Sequence, residues 1–137
     1  MINDDAGQSL IELALALPLL LILLLGMVDG ARAYYFATIM ANAAREGVNY
    51  AARNDAVTRA QVTQRACDET GLASFGQPCP DLTVTCTVVQ SDVSVEVRYD
   101  FRFITGYLVD AVFQVNPLPI RAVARYPLLA GGSPCAN

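Results

Sequence analysis

Residues 13–28 read LALALPLLLILLLGMV, a run of sixteen residues without a charge. As a helix with 1.5 Å rise this run covers about 24 Å, short of a hydrocarbon core of roughly 30 Å. Begun at Gln8, the same helix has twenty-one residues to Val28 and covers about 31 Å. The longer register spans a bilayer but places Glu12 at the apolar margin. An ionised carboxylate near the bilayer centre costs at least about 2.5–3.5 kcal/mol, and less near an interface. Glu12 therefore calls for a cationic partner.

The residues just upstream offer one. Gly7-Gln8-Ser9-Leu10-Ile11-Glu12 places a glycine five residues before the carboxylate. Peptide-bond cleavage after Gly7 would free an amine on Gln8, four positions from Glu12. Positions i and i+4 are neighbours on a helix face. Glu12 can then pair with its own chain's amine or with that of an adjacent subunit. The second pairing would stack helices with an axial stagger.

Charge and composition narrow the function. The chain has 137 residues, is 54% hydrophobic and 16% charged, and its net charge of −4 comes with no Lys and no His. An acidic chain without basic clusters is a poor nucleic-acid binder, because phosphate neutralisation needs several cations on one face. The absence of His removes the usual general base and a common metal ligand. No glycine-rich phosphate loop is present either. Neither a metal site nor a cofactor is expected, and the chain reads as non-enzymatic. Glu96, Asp100 and Asp110 read as carboxylates on polar faces, the first two beside Arg98 and Arg102, rather than as an acid pair or calcium ligands.

Downstream of the apolar run, residues 29–53 contain no Pro. Ala33, Ala37, Met40, Ala44 and Gly47 recur at helical spacing, with Tyr34, Ile39 and Val48 beside them. A small-residue stripe lets helices approach closely. It fits two uses, packing between neighbouring stalks or packing under the chain's own C-terminal half. Pro18 removes one backbone donor and marks a kink. Asp29 and Arg32, three apart, read as a solvated pair at the membrane surface. Asp55 is the expected N-cap of a second helix to about Thr70, with Gly71 as its C-cap. Val57, Ala60, Gln61, Gln64 and Cys67 are its expected common face.

Residues 71–81 read as a loop. A hairpin follows, with Leu82–Gln90 and Val93–Phe103 as strands and Ser91-Asp92 as the turn. The second strand alternates apolar and polar residues over eleven positions. Residues 104–119 read as a connection with a helical turn, Ile120–Tyr126 as a third strand, and the rest as loop. The apolar face of the hairpin must be covered, and helices are the available cover. The fold class is thus α+β, with a long N-terminal transmembrane and stalk helix, a short second helix and a small antiparallel three-stranded sheet. The expected division is a leader at 1–7, the hydrophobic and stalk helix at 8–53, and an extracytoplasmic head at 54–137.

Four cysteines, Cys67, Cys79, Cys86 and Cys135, form no CxxC pair. In an exported domain they suggest two disulfides, for which three pairings exist. With Cys86 on the inner face of the hairpin, the first expectation is Cys67–Cys86 joining helix to sheet and Cys79–Cys135 tying loop to tail.

The stretch GQSLIELALALPLL resembles the class III signal of type IV pilins. Together with Pro18, GMVDGAR at 26–32 and NAAREGVNYA at 42–51, it is similar to the TadE-like minor pilins of tight-adherence (Flp-type) pili. The resemblance implies a pilin-like structural subunit inserted in the inner membrane that joins or primes a filament and reaches the cell surface. It implies a prepilin peptidase cutting between Gly7 and Gln8, with Glu12 as the assembly carboxylate. The partners it implies are other pilin subunits, that peptidase, the inner-membrane assembly machinery and membrane lipid. The leader departs from the family in carrying Asp4 and Asp5 and no basic side chain, so the positive-inside rule does not set the orientation. The exported orientation rests instead on the cysteines and the strand-rich C-terminal part. Two other readings of the apolar run stand beside this one. In one it is a plain anchor for a bitopic protein whose head binds a partner. In the other it is a conventional signal peptide cut at Ala31-Arg32-Ala33.

Overall fold

The computed structural model of the chain describes residues 4–54, 56–71, 79, 82–129 and 134–135, apart from the side chains of 4–6, 108, 112 and 113. The order of elements is α1 (Asp4–Arg53), α2 (Arg59–Thr70), β1 (Leu82–Val89), β2 (Asp92–Phe101), α3 (Gly106–Phe113) and β3 (Leu118–Pro127). The architecture is α+β, as the patterning required.

Helix α1 has 50 residues, about 75 Å at 1.5 Å per residue. It continues without interruption through Pro18. One face of its C-terminal half is buried at Met40, Ala43, Ala44, Val48, Ala51 and Ala52. This settles the use of the small-residue stripe over 40–52, which packs beneath the chain's own head. Gly47 lies in the same face. A Cβ there would sit 3.3 Å from Val95 Cγ1 and 3.4 Å from Ala66 Cβ, so the gap between helix, sheet and α2 takes a methyl at most.

Helix α2 starts later than expected. Thr58 is its N-cap, and its hydroxyl accepts from the Gln61 amide while the Gln61 side chain accepts from the Thr58 amide. This reciprocal capping box satisfies two otherwise unpaired donors. Asp55, the expected cap, lies outside the described residues. The later start also changes the buried face. Val62, Ala66, Cys67 and Thr70 point inward, while Ala60, Gln61 and Gln64 are exposed and Val57 is buried ahead of the helix. Gly71 ends α2 with φ of 65°, the left-handed conformation expected of a glycine C-cap.

The sheet has the order β1-β2-β3, antiparallel throughout. Val93, Val95, Val97 and Phe101 of the central strand are buried, on the side of the sheet that α1 covers. The turn is Gln90-Ser91 rather than Ser91-Asp92, since Val89 pairs with Asp92. Gln90 takes φ of 58° there. Strand β3 begins two residues early, at Leu118, and the connection before it holds a two-turn helix, α3, rather than a single turn.

The disulfides are Cys67–Cys79 and Cys86–Cys135, not the pairing first expected. Cys67 lies in the last turn of α2 and bonds a cysteine twelve residues on, and most of the expected 71–81 loop lies outside the described residues. The tail instead returns to the core. The Cys135 amide donates to the Val57 carbonyl at 2.9 Å, and Arg59 Nε donates to the Cys135 carbonyl at 3.2 Å. That path brings Cys135 onto the inner face of β1, where Cys86 waits.

Candidate functional site

The features singled out near the N-terminus lie together on the first turns of α1. Gly7, Gln8 and Glu12 are all exposed, and a Cβ on Gly7 would meet nothing within 4 Å. Gln8 Nε2 donates to Glu12 Oε1 at 3.4 Å, an i,i+4 side-chain contact within the uncut helix. The first basic side chain along the chain is Arg32, twenty residues on from Glu12, about 30 Å along the helix. Glu12 thus has no cation near it on its own helix.

From Leu10 to Val28, every large apolar side chain is between 43% and 74% exposed. The head covers none of the helix's apolar N-terminal window. A helix apolar on all sides is a membrane span or the core of something larger. Each of these side chains gains roughly 1.5–3 kcal/mol when fully removed from water. A medium other than water must surround them, and membrane anchoring follows from the length and composition of this segment.

Where the bare half ends, the head begins. Asp29 is 2% exposed, not a solvated surface residue as expected. Its carboxylate accepts from the Ile104 amide at 2.9 Å, the Thr105 amide at 2.9 Å and the Thr105 hydroxyl at 2.6 Å. Arg32 pairs with it at 3.3 Å, as expected, and lies 5.2 Å from the centre of the Phe101 ring. Burial alone would raise the Asp29 pKa. The Thr105 hydroxyl, the Thr105 and Ile104 amides and the Arg32 guanidinium outweigh it, so the carboxyl sits below its ordinary value. An aromatic cluster closes the joint. Phe36 stacks on Tyr99 at 5.0 Å between ring centres, and Phe101 meets Phe103 edge-on at 5.3 Å. The signal for Asp29 was present in the sequence. Stepping the small-residue stripe one turn upstream from Ala33 lands on Asp29, so the carboxylate belongs to the face that packs.

No group of metal-binding side chains occurs among the described residues. Asp100 pairs with Arg98 at 3.4 Å on the polar side of the sheet, in line with a structural role.

Residues 7–49 match the family model described as TadE-like protein. The match runs from the candidate cleavage glycine through the bare helix and the Asp29 joint into the stripe beneath the head. It spans 43 of the 137 residues and stops short of the head's second helix and sheet. No curated protein and no solved structure matches the chain.

Proposed function

We propose that this chain, whose residues 7–49 match the model of TadE-like proteins, is a pilin-like, non-enzymatic structural subunit of a tight-adherence pilus. A prepilin peptidase cuts after Gly7, which makes Gln8 the new N-terminus. The mature helix waits in the inner membrane with its head on the extracytoplasmic side. It then passes into a filament, or primes one, where neighbouring helices replace lipid around the leucine-rich surface.

The observation that carries this reading is the division of α1 into two halves with different surroundings. Residues 40–52 are consumed by the chain's own head, while residues 8–28 are bare around the whole circumference. Glu12 then separates a filament subunit from a plain anchor. A lone anchor gains nothing from a carboxylate at its apolar margin, whereas a stack of subunits gains a charge pair each time a Gln8 amine meets a neighbour's Glu12. Two disulfides in a small head support an oxidising, exported compartment.

The test has two arms. Gly7→Phe should block processing, read as retention of the seven-residue leader in the intact mass of membrane-extracted protein. An unchanged mature mass refutes the cleavage site. Glu12→Ala should leave processing and membrane insertion intact but remove the chain from sheared surface filaments. Normal incorporation of that variant refutes the assembly role and favours the non-polymerising bitopic reading.

A further inference from the structure

The Asp29 joint fixes the height of one part of the head relative to the bare helix. Val28 is the last residue of the uncharged run, and Asp29 immediately after it holds the amides of Ile104 and Thr105 at 2.9 Å each. The segment entering α3 is therefore level with the end of the membrane-spanning stretch. Two large side chains there are left largely open. Ile104 is 62% exposed, and Tyr107, at 90%, is the most exposed large apolar side chain among the described residues. Tyr107 follows Thr105 by two residues, so its Cα lies within about 7 Å of the joint. Helix α3 reads GYLVDAVF, with Asp110 as its one charged residue, and Arg102 is exposed just ahead of it.

We propose that the α3 end of the head is a membrane-surface foot, with Ile104 and Tyr107 seated in the lipid headgroup region while the chain waits in the bilayer. Three observations choose lipid as the occupant. The patch is continuous in height with a helix surface that itself needs lipid. Tyrosine combines an apolar ring with a polar tip and is enriched at membrane–water interfaces. An arginine beside the patch suits phosphate-bearing headgroups. The foot gives the head a fixed stance, because the stalk is gripped at Asp29 and the surface is gripped beside it. The opposite end of β2, at Asp92, points away from the membrane by about 30 Å of strand. The inference rests on membrane insertion of residues 8–28 and is independent of filament assembly.

The test places a single environment-sensitive fluorophore on the full-length, disulfide-bonded protein through Tyr107→Cys, Leu20→Cys or Ser91→Cys. Each variant is reconstituted in phosphatidylcholine vesicles carrying lipid with a quencher either near the headgroup or deep in the acyl chain. The foot predicts blue-shifted emission and loss of fluorescence to the headgroup quencher at position 107, and neither at position 91. No headgroup quenching at 107 with clear acyl-chain quenching at 20 overturns the foot and leaves membrane insertion standing. Equal headgroup quenching at 91 and 107 overturns it too, since the head would then lie flat. No acyl-chain quenching at 20 overturns the membrane reading itself, and the foot falls with it. Positions 20, 91 and 107 are all exposed, so the labels leave the fold intact.

Discussion

Replacing Asp29 by alanine removes one carboxylate that holds three groups from a distant part of the chain. The contacts are two amides at 2.9 Å and a hydroxyl at 2.6 Å. A hydrogen bond to a charged acceptor contributes about 1.5–3 kcal/mol net. The three do not simply add, because Ile104 is half-open to solvent and its freed amide regains water. A loss of about 2–4 kcal/mol at the joint follows, less than two of the three bonds at that rate. The loss is local, because the buried core of α1, α2 and the sheet lies elsewhere. Native-state hydrogen exchange in detergent micelles reads it directly. At about 1.4 kcal/mol per factor of ten, the Ile104 and Thr105 amides should exchange between roughly thirty- and several hundred-fold faster in Asp29→Ala. Central amides such as that of Val95 should hardly change. Asp29→Asn keeps one acceptor oxygen without the charge and should fall between. Unchanged protection of Ile104 and Thr105 in Asp29→Ala would show that aromatic packing alone joins head to stalk, and the reasoning would fail.

The same joint has a pH dependence. The Asp29 pKa is lowered from its ordinary value of 3.8, so its contribution is complete above that value and is lost as pH falls through the lower, folded one. Exchange at Ile104 and Thr105 should stay flat from neutral pH to about pH 5, once corrected for intrinsic rates, and accelerate only in stronger acid. Cys86→Ser with Cys135→Ser opens a 49-residue closure and should cost about 4 kcal/mol in the chain-entropy account, against about 3 kcal/mol for Cys67→Ser with Cys79→Ser across 12 residues. Denaturant midpoints of the oxidised variants check that order. Gly47→Leu should destabilise the head by about 1–3 kcal/mol, since even a Cβ there meets Val95 and Ala66 at contact distance. Gly47→Ala should be close to neutral, because its gain in helix propensity of about 1 kcal/mol offsets the tight fit. Thermal melts of both variants separate crowding from propensity.

Much of the fold was legible because periodicity is a strong signal where one face is buried. The alternation of Val93 to Phe103 marks the central strand, which ends two residues sooner, at Phe101, and the small residues of 33–53 mark a packing stripe that is buried over 40–52 but leaves Tyr34 and Ala37 exposed. The errors lie where a side chain's partner is distant in sequence. Asp29 looked like a solvated carboxylate because its nearest sequence partner, Arg32, seemed sufficient, whereas its amide donors lie 75 and 76 residues away. The disulfides were mispaired because facing direction was known for Cys86 but the return path of the tail was not. The α2 face is shifted because Thr58, three positions past Asp55 and a weaker cap by residue type, gains a reciprocal capping box with Gln61. At the N-terminus, helix geometry alone makes the side chains of Gln8 and Glu12 neighbours, and they touch. The pairing of Glu12 with another subunit involves a second copy, which no intrachain pattern encodes.

In the proposed function, residues 8–28 form the core of a filament after cleavage at Gly7. A cryo-EM map of sheared surface filaments reads this out. Density for this chain should start at Gln8, with its bare helix enclosed by neighbouring copies or partner pilins and each Glu12 carboxylate within ion-pairing distance of a neighbouring N-terminal amine. Filaments that lack the chain, or that contain it with Leu10–Val28 facing solvent, would contradict it.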